Sequence, residues 1–127
     1  MSNKIRPVLN NLINSNTSNI ERFQNEVIRP IIKMQNNFLV VFFKNYIRNR
    51  KIEFNRLKSE DQENKIKTIL TKDINFKNIL IGSIIGHFDE NEIEIYLKST
   101  SELNKRIIQI VKQRLLDNYI TQEEESW

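Results

Sequence analysis

An all-α fold follows from three features of this sequence. Apolar residues recur at helical spacing over nearly its whole length, helix-capping patterns punctuate it, and glycine and proline are scarce, with two of each. Together they predict a compact bundle of about five to seven helices around a long central helix spanning about residues 31–57. Alanine is absent, while isoleucine, asparagine and lysine are abundant. Asn and Ile are middling helix formers, so packing rather than propensity has to hold these helices.

Residues 1–17 are rich in Asn and Ser, but Ile5, Val8, Leu9, Leu12 and Ile13 share one helical face. They predict a loosely attached docking helix, with Pro7 in its first turn and Asn14–Thr17 as connector. The bundle domain follows over 18–120. Ser18 with Glu21 has the spacing of a capping box, opening a helix at Asn19. Pro30 marks a kink or break at Arg29–Pro30. Within the long helix after it, Phe38–Phe43 is apolar on every side and predicts a buried centre. The apolar face then narrows to Tyr46, Ile47, Phe54 and Leu57.

Ser59 with Gln62 offers a second capping box, before a helix that buries Ile66, Ile69 and Leu70. Thr71 or Asp73 starts the next helix, through Phe76, Leu80, Ile84 and Ile85. It is expected to end at Gly86 in a left-handed residue. Gly82 inside this helix predicts a close crossing by another helix, since an interior glycine costs about 0.8–1 kcal/mol relative to alanine. Asp89 and Glu92 cap helix 90–98, with Phe88 and Ile93 at the spacing of a hydrophobic staple. The segment Ile93–Leu97 alternates like a strand, but the caps on both sides favour a helix. Ser99 and Glu102 open the last helix, with Leu103, Ile107, Ile108, Val111, Leu115 and Tyr119 inward. Residues 121–127 form an acidic tail.

No cysteine is present, which excludes disulfides, thiolate nucleophiles and Cys-ligated metals. The first residues lack the apolar core of a signal peptide. The longest apolar stretches, Phe38–Phe43 and Ile79–Ile85, fall far short of the ~20 residues of a membrane span. A cytoplasmic protein without membrane contact is the expectation.

Catalytic signals are sparse. The one histidine, His87, sits in the corner Gly86-His87-Phe88-Asp89, and no nucleophile elbow, zincin, Walker or dinucleotide pattern is present. The acidic set Asp89, Glu90, Glu92 and Glu94 misses the calcium-loop pattern, having Glu94 at the sixth position and Thr100 at the twelfth. Helix-dipole complementarity accounts for those acids. The residues weigh against an enzyme and imply no metal and no cofactor.

Charge carries the positive signal. The net charge is +4, but residues 1–58 hold 11 Lys/Arg against 3 Asp/Glu, and residues 59–127 hold 9 against 13. Lys44, Arg48, Lys51, Asn55 and Lys58 are spaced alternately four and three apart. On one continuous helix they form a stripe ~21 Å long at 1.5 Å per residue. Lys105, Arg106 and Lys112, with Gln109 and Gln113, lie opposite the apolar stripe of the last helix. Such stripes can bridge successive phosphates or dock an acidic protein surface. Arg29, Lys33 and Gln35, beside Pro30, form a smaller cluster placed to line a pocket.

Three segments carry a family resemblance: Phe23–Gln35 (FQNEVIRPIIKMQ), Ile81–Phe88 (IGSIIGHF) and Glu102–Ile107 (ELNKRI). In them the chain resembles a set of short, uncharacterised helical bacterial proteins often labelled "glyoxalase". The likeness covers roughly residues 20–118 and implies no functional residues. Proteins of the true glyoxalase I fold are built from βαβββ modules and hold a divalent metal through His and Glu. One histidine, no convincing strand and few glycines argue against that activity here. The resulting expectation is a non-enzymatic helical module docking a macromolecule, protein or RNA, through a basic helix face. A homo-oligomeric interaction protein is the alternative, and a metal-dependent glyoxalase-type enzyme is a disfavoured second one.

Overall fold

The computed structural model describes the backbone of residues 18–126 and the side chains of residues 18–118. The expected docking helix over 1–17, Tyr119 and the side chains of the acidic tail lie outside that description. Among the described residues the architecture is all-α, as the periodicity and caps predict.

The first helical stretch comprises α1 (Asn19–Phe23), a π-helical turn (Gln24–Ile28) and α2 (Arg29–Met34). Ser18 caps it, its hydroxyl accepting from the Glu21 amide at 3.1 Å. The expected interruption at Arg29–Pro30 is absent. In an α-helix the proline ring would meet the carbonyl four residues back. Here the turn before it widens, the Arg29 amide donates to the Gln24 carbonyl, and buried Pro30 sits in the first turn of α2. The irregularity falls instead at Gln35 (φ −91°, ψ 11°), before α3 (Asn36–Asn49).

The single helix expected over 31–57 therefore does not exist. Its second break is at Lys51, which adopts the left-handed conformation with φ 54°. The Lys51 amide donates to the Arg48 carbonyl (3.1 Å) and the Ile52 amide to the Ile47 carbonyl (2.9 Å). That is the Schellman arrangement, with apolar Ile52 and Ile47 at its two contact positions. Glycine usually occupies this site because a Cβ costs about 1–2 kcal/mol in a left-handed residue. Lys51→Gly is accordingly expected to raise unfolding stability by roughly 0.5–1 kcal/mol, after allowing for the greater freedom of glycine in the unfolded chain. A urea midpoint at or below wild type would contradict this account of the helix end.

A 3-10 turn at Phe54–Arg56 leads to α4 (Ser59–Lys72). The expected Ser59–Gln62 capping box does not form. Lys58 is the N-cap, without a side-chain bond, and Gln62 is buried with its amide donating to the Phe54 carbonyl at 3.1 Å. Asp73 caps α5 (Ile74–Ile85) by accepting from the Phe76 amide at 3.0 Å. Gly86 follows in right-handed geometry (φ −62°) rather than left-handed. Tight turns from the His87 and Phe88 amides to the Ile84 and Ile85 carbonyls end the helix. Among the described residues no helix crosses Gly82, since a Cβ there would meet nothing within 4 Å. The Asp89–Glu92 capping box on α6 (Glu90–Lys98) is complete in both directions, at 2.9 Å each way.

The central element is α7 (Thr100–Ser126), not the helix around residue 40. It touches α2, the π turn, α3, α4, α5 and α6. Leu103, Ile107, Val111 and Leu115, four residues apart, are buried along it. Arg106 bonds Gln24 at 3.0 Å and Asn118 bonds Asn36 at 2.9 Å, each pair 82 residues apart. The N-terminal helical run and α7 therefore lie parallel in one register over that stretch. Phe43, Phe54, Ile66, Leu80 and Ile84 complete the core.

Candidate docking face

Helices α3 and α5 lie antiparallel, and three contacts set their order. The Gln35 amide donates to the Ser83 carbonyl at 3.2 Å, Phe42 stacks on Phe76 at 5.3 Å, and the Tyr46 hydroxyl donates to Asp73 at 2.8 Å. Phe38 extends the stack by lying 5.5 Å from Phe42, with the ring planes nearly parallel at 10°. Ile79, one turn beyond Phe76 on α5, is 49% exposed. An aromatic ladder thus runs over the seam, from Phe38 through Phe42 and Phe76 to Tyr46, and Arg50 caps it 3.8 Å above the Tyr46 ring. Aromatic contacts in these geometries are favourable beyond simple area burial, as is the guanidinium over the ring.

This arrangement corrects the expectation that Phe38–Phe43 is buried throughout. Leu39, Val40 and Phe43 enter the core, but Phe38 is 37% exposed and Val41 66%. Ile74 and Ile79 on α5 are exposed as well. A shallow groove of about 620 Å³ is lined by Asn37, Phe38, Val41, Phe42, Lys44, Asn45 and Arg48. Neither α3 nor α5 contains an acidic residue. The groove is therefore apolar along its ridge, and its charged lining residues, Lys44 and Arg48, are both cationic.

At one end of the face Asp73 ties three groups together. It accepts from the Phe76 amide, from Tyr46 and from Arg50, the last at 3.3 Å. The Phe76 amide, then the Tyr46 hydroxyl and more weakly the Arg50 charge, hold its carboxyl below the usual carboxylate range against a small opposing effect of desolvation. Burial, then the bond to Asp73, pushes the Tyr46 phenol up, with Arg50 opposing. A carboxyl depressed in the folded state stabilises the protein above its unfolded value, about 3.9, and that contribution disappears as pH falls through the folded value. The stability gap between wild type and Asp73→Asn is thus expected to be constant from pH 7 to about pH 5 and to close below pH 4. Urea midpoints across that range check it, and a gap that does not depend on pH would refute the assignment.

The predicted basic residues are dispersed by the fold. Lys44 and Arg48 remain together on α3, one turn apart, on the groove. Lys51 shapes the end of α3, and Lys58 belongs to the start of α4, so the stripe across one long helix is broken. On α7, Arg106 is paired with Glu102 at 3.0 Å and bonded to Gln24, and Lys112 lies 3.7 Å from Glu63 of α4. Those two cations stitch helices together, while Lys105 lines a different cleft. The Arg29, Lys33 and Gln35 cluster is split. Gln35 is buried against Ser83, whereas Arg29 and Lys33 are exposed, Arg29 bonding Asn25 at 3.2 Å. The exposed Phe38 and Val41 escaped the sequence reading because a run apolar on every side carries no sign of which side faces water.

Among the described residues no group of three His, Asp or Glu side chains is placed to hold a metal ion. His87 occupies the turn between α5 and α6, with its amide bonded to the Ile84 carbonyl. No described helix is long and apolar enough to cross a membrane. The βαβββ architecture of the glyoxalase I fold is not found among the described residues, which contain no strand. No family model, no curated protein and no solved structure matches the chain.

Proposed function

We propose that this chain is a non-enzymatic helical module that docks a protein partner on the face shared by α3 and α5. The partner segment it fits is an amphipathic helix whose apolar side is flanked by Asp or Glu. One observation carries the reading: Phe38 and Val41 remain exposed in a groove whose charged positions, Lys44 and Arg48, are both basic. Apolar anchors in a helix-lined groove supply affinity, and the cations supply orientation and association rate. A track for nucleic-acid phosphates has less support, since only two cations of the expected stripe stay together.

Affinity purification from the native cell at two salt concentrations, with nuclease treatment in parallel, tests this. A protein partner is expected that survives nuclease, is lost with Val41→Asp, and weakens with the double change Lys44→Glu and Arg48→Glu. Purified partner should lose about tenfold or more in affinity to Val41→Asp, an exposed position where the fold tolerates the change. Recovery of RNA that disappears with nuclease or salt would overturn the proposal in favour of a phosphate-binding face. Capture that both sets of substitutions leave intact would remove this face from consideration.

A further inference from the structure

On the opposite side of α5 lies a second feature, independent of the docking face. A cleft of about 590 Å³ opens between α4, α5 and α7. Each helix contributes one lysine to it: Lys67 from α4, Lys77 from α5 and Lys105 from α7. Among the described residues no carboxylate lines the cleft and none of the three lysines has an ion-pair partner. Neighbouring cations are treated differently, for Lys112 pairs with Glu63 and Arg106 with Glu102. Lys67 and Lys105 are exposed and Lys77 is half-buried, so the charged groups around the cleft are all cationic and accessible to an anion.

The neutral groups are arranged for the same ligand. The Tyr96 hydroxyl donates to Asn104 Oδ1 at 2.5 Å, which commits the carboxamide oxygen inward. Its Nδ2 group makes no hydrogen bond among the described residues, and Asn104 lines the cleft. Ser101 and Gln109 add a hydroxyl and an amide without partners among the described residues. Leu70 and Ile108 contribute apolar surface to the same cleft. The volume falls within the roughly 300–1,000 Å³ of small-molecule sites, which combine apolar walls with a few placed polar groups.

We propose that this cleft binds a small phosphorylated ligand of the nucleoside diphosphate type. The three lysines and the Asn104 amide take the phosphates, and the half-buried Ile108 takes the ring. A diphosphate carries about three negative charges at neutral pH, matching three ammonium groups.

Isothermal titration of the full chain with ADP, pyrophosphate and adenosine tests this. ADP is expected to bind, pyrophosphate to bind more weakly for want of the ring, and adenosine not to bind. Lys67→Gln, Lys77→Gln and Lys105→Gln should each weaken ADP about tenfold, while Lys98→Gln on α6 leaves it unchanged. Without ligand, the three cleft variants should melt at about the wild-type temperature, because none of these lysines holds an ion pair among the described residues. Failure of ADP to bind, equal loss with Lys98→Gln, or pyrophosphate binding as tightly as ADP would overturn the proposal. Cleft variants that melt well below wild type would make the lysines structural and overturn it too.

Discussion

Replacing Phe43 with alanine is expected to lower unfolding stability by about 3–5 kcal/mol, the usual cost of removing a buried aromatic ring. Phe43 is fully buried where three elements meet. Its ring packs edge-on against Phe54 of the 3-10 turn, at 5.4 Å and 84°, and lies 6.4 Å from Phe76 of α5. Deleting it leaves a cavity whose walls belong to separate elements and cannot all close inward. Against a total stability of about 5–15 kcal/mol for a domain this size, such a loss consumes a large share. Val41→Ala, two residues away on the same helix, is expected to change stability by less than about 0.5 kcal/mol because Val41 faces water. Urea denaturation of the two variants side by side measures the contrast. Equal losses at both positions would mean that α3 is buried on the face assigned here to docking.

The second large effect is expected at Gln62. Its side chain is 2% exposed, and its amide satisfies the carbonyl of Phe54, itself 1% exposed. Gln62→Met keeps the volume but removes the donor, leaving the carbonyl with the Leu57 amide alone, at 3.1 Å. Loss of one such hydrogen bond costs about 0.5–1.5 kcal/mol. Gln62→Ala adds a cavity and should cost more. Chemical denaturation at neutral pH gives both values, and a neutral Gln62→Met would show that the bond adds nothing. Hydrogen exchange should report local opening of residues 52–58 before global unfolding in either variant, because this bond anchors the 3-10 turn to α4.

Gln62 also illustrates why parts of this fold were misread. Three residues after a serine, a glutamine has the spacing of a capping box, and the local pattern alone favours that role. The competing use, satisfying a carbonyl eight residues earlier in the chain, depends on the 3-10 turn at Phe54–Arg56 folding back onto α4. Nothing local announces the end of α3 before it, since the left-handed position at Lys51 is filled by lysine rather than glycine. Pro30 misleads in the opposite direction. Its ring normally interrupts a helix, but the π turn before it absorbs the clash and the helix continues. Glycine at 82 satisfies no close approach, and the structure offers no other reason for it.

The site was legible to a similar degree. Lys44 and Arg48 stood out by their spacing of one helical turn, and they do share a surface. Phe38 and Val41, which give that surface its character, were hidden by the apolar residues around them. Lys67 and Lys77 carried no signal at all, because each is an ordinary exposed lysine on its own helix and only the packing of α4, α5 and α7 brings them to Lys105.

The sequence by itself determined the helical class, the capped starts of α1, α5 and α6, and the buried stripe of α7. Each depends on interactions within about one turn of chain, such as a side chain reaching a nearby amide or a period of four placing Leu103, Ile107, Val111 and Leu115 on one line. Tertiary structure decided which helix is central, which side of Phe38–Phe43 meets water, and which cations are paired and which are left to face a cleft. Those outcomes depend on contacts between residues tens of positions apart, such as Gln24 with Arg106 and Asn36 with Asn118. Helical periodicity marks which face of a helix is apolar, but only its neighbours determine how much of that face is covered.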